Sequence, residues 1–114
     1  MEILEQSKEL TPKELYFLTK SPAAKSLKTV KSQTIEVCAW CLYKDLDSEG
    51  KEATLLSLLT KENEIFTSNS KTVQKDFADI WAFFADEAEI GIPVKIDAGM
   101  TKAGREYLSC YYDG

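Results

Sequence analysis

Apolar and polar positions recur along this chain with periods that can be read directly. From Thr34 to Tyr43 β-branched and aromatic residues dominate and neither Gly nor Pro interrupts, which predicts a long strand. Asp45-Leu46-Asp47-Ser48-Glu49-Gly50 is polar and ends in Gly, the signature of a hairpin loop. Glu52 to Thr60 reads as a second strand, Lys61-Glu62-Asn63 as a tight turn, and Glu64 to Thr67 as a short third strand. Ser70 then stands as an N-cap. Val73, Phe77, Ile80, Trp81, Phe84 and Ala88 follow at helical spacing, the clearest period in the chain.

Beyond the helix, Ile90, Ile92, Val94 and Ile96 alternate with Gly91, Pro93, Lys95 and Asp97, which predicts a half-buried strand. Pro93 lacks an N–H, so it points to an edge or a bulge. Ala98 to Gly104 reads as a loop and Arg105 to Tyr112 as the last strand. The first thirty residues differ. Thr11-Pro12-Lys13-Glu14 is a capping box with Pro at the first helical position. Leu15, Leu18 and Tyr16 or Phe17 give that helix a small apolar face. Ser21-Pro22-Ala23-Ala24 repeats the start signal, so a second short helix is expected over Pro22 to Leu27, while residues 1–10 carry no strong cap and are expected to fray.

The order is three strands, one helix and two strands behind a helical N-terminal arm. This predicts a mainly β fold, a five-stranded OB-fold barrel (βββαββ), with residues 1–28 as the arm and 29–114 as the barrel. An OB-fold binds oligonucleotides on its second and third strands and on the loops between strands 1–2 and 4–5. A ferredoxin-like fold needs a helix after the first strand, and none fits there.

Composition narrows the chemistry. The chain has 114 residues, 14 Lys plus Arg against 19 Asp plus Glu, and no His, for a net charge of −5. One domain is expected from that length. Without His, His-based acid–base pairs, nucleophiles and metal ligands are excluded. No run approaches the ~20 apolar residues of a membrane helix, and the acidic N-terminus does not resemble a signal peptide. Cys38-Ala39-Trp40-Cys41 is formally a C-x-x-C. A redox pair needs a helix N-terminus to lower the thiol pKa, whereas these cysteines lie in a predicted strand, so packing is their expected role. Cys110 adds only a third thiolate, so no zinc site is expected. Asp86-Glu87-Ala88-Glu89 reads as a solvated acidic helix end rather than a metal or acid–base cluster. No enzyme constellation, cofactor or metal is expected.

The aromatic residues say more. On the last strand Arg105, Tyr107, Ser109 and Tyr111 share one face, with Leu108 and Cys110 on the core side. A cation followed by two rings has the composition of a base-stacking surface. On the first strand Trp40 stands between Glu36 and Lys44, with Ile35, Val37, Ala39 and Cys41 opposite as the expected core face. Phe66 on the third strand adds a ring. Phe77, Trp81 and Phe84 are expected to plug the barrel. The acidic balance argues against nucleic acid, but residues 1–31 hold six Lys and four Glu, and Lys102 precedes Arg105, the only Arg of the chain.

Ser68-Asn69-Ser70-Lys71-Thr72-Val73 and Gly99-Met100-Thr101-Lys102-Ala103-Gly104-Arg105-Glu106-Tyr107, with a helix and a strand between them, resemble phage single-stranded DNA-binding proteins of small tailed phages with protein-primed genomes. The resemblance also takes in Tyr43-Lys44 and Glu64-Ile65-Phe66 and spans residues 28–112. It implies an OB-fold, non-specific binding of single-stranded DNA and no catalysis. It assigns Tyr43 and Phe66 as ring positions and Lys71, Lys102 and Tyr107 as further contacts. With the residues read above, the expected DNA-binding set is Trp40, Tyr43, Lys44, Phe66, Lys71, Lys102, Arg105, Tyr107 and Tyr111. Met100 and Ala103 depart from the smaller or more polar residues expected in that loop. The arm has no counterpart in the simplest members and is left to cap the barrel, to form homo-oligomers or to block the binding face. The implied setting is phage or prophage replication or recombination in the cytoplasm of a bacterial host, with single-stranded DNA and replication or recombination proteins as partners. The rival reading is an OB-fold protein–protein interaction module, which the net charge favours.

Overall fold

The structure is a computed structural model that describes residues 1–47 and 49–114. Ser48, in the expected hairpin loop, lies outside the described residues. The fold is mainly β. Strands β1 (Glu2–Gln6), β2 (Lys25–Ser26), β3 (Thr34–Leu46), β4 (Glu52–Thr60), β5 (Ile65–Ser68), β6 (Ile92–Met100) and β7 (Glu106–Tyr112) form one sheet. Helix α1 spans Pro12–Lys20 and α2 spans Lys71–Phe84, with single 3₁₀ segments at Leu27–Val30 and Ala85–Glu89. The strand order is β2-β5-β4-β3-β6-β7, and β1 pairs with β3. The pairings are antiparallel except for the short parallel contact of β2 with β5.

The 13-residue β3 is the spine. One edge pairs with β4 over Val37 to Leu46. The other is shared: Thr34 to Val37 pair with β6, and Cys41 to Lys44 pair with β1. Between these halves a bulge puts Cys38 out of register with β4, where Val37 faces Thr60 but Ala39 faces Leu59. An extra residue in a strand reverses the inside–outside alternation beyond it. Ile35 and Val37 therefore share the main core with Trp40, while Ala39, Cys41 and Tyr43 turn to the opposite face. The expectation that Ile35, Val37, Ala39 and Cys41 line one face fails at that bulge.

The sheet is covered on both sides along β3, β4 and β5. On one side α2 packs Val73, Phe77 and Ile80 against Val37, Trp40, Leu58 and Phe66, with Trp81, Phe84 and Ala88 partly buried around them. The predicted stripe is the stripe observed, and Ser70 caps it by accepting the N–H of Val73. On the other side α1 lays Leu15 and Leu18 over Ala39, Cys41, Tyr43 and Ile65. Its capping box forms as predicted, Thr11 Oγ1 accepting the N–H of Glu14 at 3.1 Å and Glu14 accepting the N–H of Thr11 at 3.0 Å. The sheet curls so that the end of β5 comes round toward β7. The Ser70 hydroxyl donates to Leu108 O at 3.5 Å, and Asp76 of α2 accepts the N–H of Cys110 at 3.2 Å on the free edge of β7.

The N-terminal region is not a helical arm. Residues 2–6 form β1 because the second half of β3 has an open edge, and Ser7 extends the contact through Trp40 O at 3.1 Å. The second helix expected over Pro22 to Leu27 is a single turn followed by β2 and a 3₁₀ segment. Leu27 is fully buried in the main core, and that burial sets the local path. Segments 1–28 and 29–114 thus share one sheet. Further along, Gly91 holds φ +102° and a Cβ there would lie 2.9 Å from Glu36 Cβ, so β6 starts at Ile92 and Ile90 is left exposed in the turn. Pro93 lies near the start of β6, a strand flanked by both β3 and β7 rather than at an edge. The expected Ala98–Gly104 loop shortens to a turn, since β6 continues to Met100.

Candidate nucleic-acid interface

The candidate residues divide by burial. Trp40, Tyr43 and Phe66 are 7%, 3% and 1% exposed and cannot meet a base in this conformation. Trp40 is turned inward by the bulge and packs edge-on against Phe77 at 5.9 Å and Trp81 at 5.6 Å. Tyr43 lies under α1, its hydroxyl accepting from Ser57 at 3.3 Å. Phe66 belongs to the main core. Lys44 is half-buried beside β1, 3.7 Å from Glu52. Lys71 opens α2 and lines a separate surface depression with Asn69 and Gln74.

Lys102, Arg105, Tyr107 and Tyr111 are brought together by the β6–β7 hairpin. Its register sets Gly99 opposite Tyr107, Asp97 opposite Ser109 and Lys95 opposite Tyr111. Tyr107, Ser109 and Tyr111 are successive outward residues, so the two rings stand roughly 13 Å apart along the strand at ~3.4 Å per residue. They are 44% and 48% exposed. The Tyr107 ring lies close against Gly99, where a Cβ would come within 2.6 Å of its Cζ. That contact seats the outer end of the ring against Gly99, and 44% of the residue stays exposed. The turn is pinned by Thr101 N–H to Arg105 O at 2.8 Å, Gly104 N–H to Thr101 O at 2.9 Å and Arg105 N–H to Thr101 Oγ1 at 3.1 Å. Gly104 supplies φ +81°. The exposed Lys102 and Arg105 therefore project from a defined frame.

Next to Tyr107 is a cleft of about 430 Å³ at the seam between β5 and β7. Ser26, Thr67, Ser68, Asn69 and Ser70 give it a hydroxyl and amide lining, and Lys28 stands at its margin. Glu106 also lines the cleft and pairs with Lys31 at 3.0 Å. Lys28 and Lys95 join the cationic surface without having been singled out by sequence. The strand alternation that placed Tyr107 outside would have identified Lys95. Lys28 depended on the path of the N-terminal segment.

The cysteines are held protonated. Burial pushes the Cys41 thiol up to about 11 and, with Asp76 nearby, the Cys110 thiol up to about 12. Burial, with Glu36 and Glu62 nearby, also raises Cys38. Thiols held protonated are poor nucleophiles and poor metal ligands. Among the described residues no group of three or more His, Cys, Asp or Glu side chains is arranged to hold a metal ion. Among the described residues no helix is long and apolar enough to cross a membrane. Tyr112 donates its hydroxyl to Glu87 at 2.6 and 2.8 Å, which raises its pKa, and its ring stacks on Phe84 at 3.6 Å. Comparison of the chain with known protein families, curated proteins and solved structures finds no match.

Proposed function

We propose that this chain is a non-enzymatic, non-sequence-specific single-stranded DNA-binding protein of OB type, and that it works on the outer face of the β6–β7 hairpin. The order β5-β4-β3-β6-β7, with α2 joining β5 to β6, is the one an OB barrel would have, with β1 and β2 as additions. In an OB-fold the ligand face is the outer side of the strands equivalent to β4 and β5. Here α1 and β1 cover that side, and the hairpin equivalent to the loop between strands 4 and 5 remains open.

The observation that carries the reading is the pair of exposed tyrosines on one strand face, Tyr107 and Tyr111, set among Lys95, Lys102 and Arg105. The rings accept unpaired bases by stacking, and the cations track the phosphates. Phage or prophage replication or recombination, in the cytoplasm of a bacterial host, is the setting this activity fits. The test is a titration of fluorescently labelled oligo(dT), read by anisotropy at two salt concentrations, with a duplex of equal length as control. Binding of oligo(dT) well above duplex is expected, since duplex bases are already stacked. No binding at low salt, or equal binding of duplex, overturns the proposal.

A second reading, a protein-interaction module, is favoured by the net charge of −5 and by the carboxylates gathered along α2 and the 3₁₀ segment that follows it. Failure of the DNA titration moves that reading to the front.

A further inference from the structure

Two helices carry exposed stripes of opposite character on opposite faces of the sheet. On α1, Leu15 and Leu18 face inward, so Lys13, Tyr16, Phe17 and Lys20, at i, i+3, i+4 and i+7, form one outward stripe. Tyr16 and Phe17 are 56% and 41% exposed, and Lys13 Nζ stands 6.0 Å above the Phe17 ring. Beside this stripe runs a groove of about 410 Å³ lined by Lys13, Glu14, Phe17, Leu59, Asn63 and Ile65, Glu14 being engaged by the Thr11 N–H in the capping box and by Lys8 at 3.6 Å. On α2, Asp76, Asp79 and Phe83 share a stripe at i, i+3 and i+7, next to Tyr111 in a shallower depression. Phe83 is 83% exposed, more than any other large apolar side chain among the described residues. Asp76, Asp79, Asp86, Glu87 and Glu89 form no salt bridge among the described residues.

We propose that the α2 stripe of one copy of this chain docks on the α1 stripe of a second copy, Phe83 entering the groove beside Phe17 and Asp79 facing Lys13. Charge complementarity selects a second copy as the occupant. Among the described residues the carboxylates of the acidic stripe form no salt bridge, the other stripe presents Lys13 unpaired while Lys20 is held by Asp45, and both carry aromatic rings that water solvates poorly. Because α1 and α2 lie on opposite sides of the sheet, the contact is head to tail. A head-to-tail contact that does not close into a ring extends as an open chain of protomers. The association makes no use of DNA and stands whether or not the chain binds it.

Sedimentation velocity over a concentration series, without DNA, tests this. The wild-type average mass is expected to rise with concentration. Lys13→Glu and Asp79→Lys, both at exposed positions, are each expected to weaken association by at least ~10-fold, since like charges then face each other. An equimolar mixture of the two variants is expected to assemble again, because every junction in an alternating chain pairs opposite charges. Phe83→Ala alone is expected to stay monomeric; mixed with Lys13→Glu, whose α2 stripe is intact, it is expected to form a dimer that extends no further. A wild-type protein that is monomeric at all concentrations overturns the proposal. So do charge variants that associate like wild type, or a mixture that does not recover. Association unmoved by all three substitutions assigns the contact to another surface, and a monomer that binds a basic peptide instead assigns the acidic stripe to a different protein.

Discussion

Tyr107→Ala is expected to weaken oligo(dT) binding by about 5- to 30-fold. A base stacked on an aromatic side chain contributes about 1–3 kcal/mol by alanine substitution. The geometry here selects the lower part of that range. The outer end of the Tyr107 ring is seated against Gly99 and less than half of the residue is exposed, so the contact area it offers a base is limited. About 1–2 kcal/mol corresponds to a factor of about 5–30. The cost to the fold is smaller, because a cross-strand pair such as Tyr107 with Gly99 contributes about 0.2–1 kcal/mol. Anisotropy titration reads the affinity, and urea unfolding of the same variant shows that the fold survives. The salt slope should stay at its wild-type value, since no phosphate contact is lost; Lys102→Ala should instead lower it by about 0.7. Oligo(dT) affinity unchanged in Tyr107→Ala and also in Tyr111→Ala would refute stacking on this face.

Gly99→Ala should also impair binding with both tyrosines in place, because the new methyl displaces the Tyr107 ring; affinity near wild type would show that the ring's seat is irrelevant. Saturating oligo(dT) should leave tryptophan emission nearly unchanged, since Trp40 is buried and Trp81 packs on the core; strong quenching would place the site elsewhere. Trp40→Ala should cost about 3–5 kcal/mol in urea denaturation. Trp40→Phe should cost much less, because it removes an Nε1–H with no hydrogen-bond partner among the described residues. Ellman's reagent near neutral pH should find Cys41 and Cys110 unreactive until denaturant is added. Their folded pKa values exceed the ordinary thiol value, so their contribution to stability is whole below about pH 8.5 and is lost as pH rises toward their raised values, which urea midpoints across that range measure.

The helix α2, its Ser70 cap, the capping box of α1 and the limits of β4 could all be read from the sequence, because each rests on a local signal: a 3.6-residue period, a side chain reaching the next turn, a run of strand formers. Three features could not. The bulge at Cys38 has no residue signature, since neither Gly nor a turn former marks it, yet it decides which of Trp40 and Cys41 enters the main core. Strand β1 exists because β3 presents an unpaired edge, a fact about tertiary geometry that Glu2-Ile3-Leu4-Glu5 does not carry. The path of residues 22–30 follows Leu27 into the core against the helical start signal of Ser21-Pro22. For the candidate site, the outward face of β7 was legible from its alternation. The rings at Trp40, Tyr43 and Phe66 were not legible as core, because an aromatic residue has the same strand preference whether its face is covered or open.

The division of one β3 edge between β1 and β6 constrains the order in which the molecule can assemble. The β3–β4 hairpin closes over a short loop and has its longest ladder, so its entropic cost is small and it is the natural first structure. Strand β1 precedes β3 on the ribosome but has no partner until residues 41–44 emerge and pair with β4. Strand β6 must wait longer, for a stretch of chain about sixty residues beyond its partner, with α2 in between. Early in synthesis the whole free edge of β3 is open to the N-terminal strand, which can slide along it. The bulge after Val37 limits that sliding: β1 placed over residues 34–37 would meet a backbone whose alternation is out of step with the half it normally pairs. The same irregularity that turned Trp40 inward thus keeps a strand made early off the site reserved for one made much later.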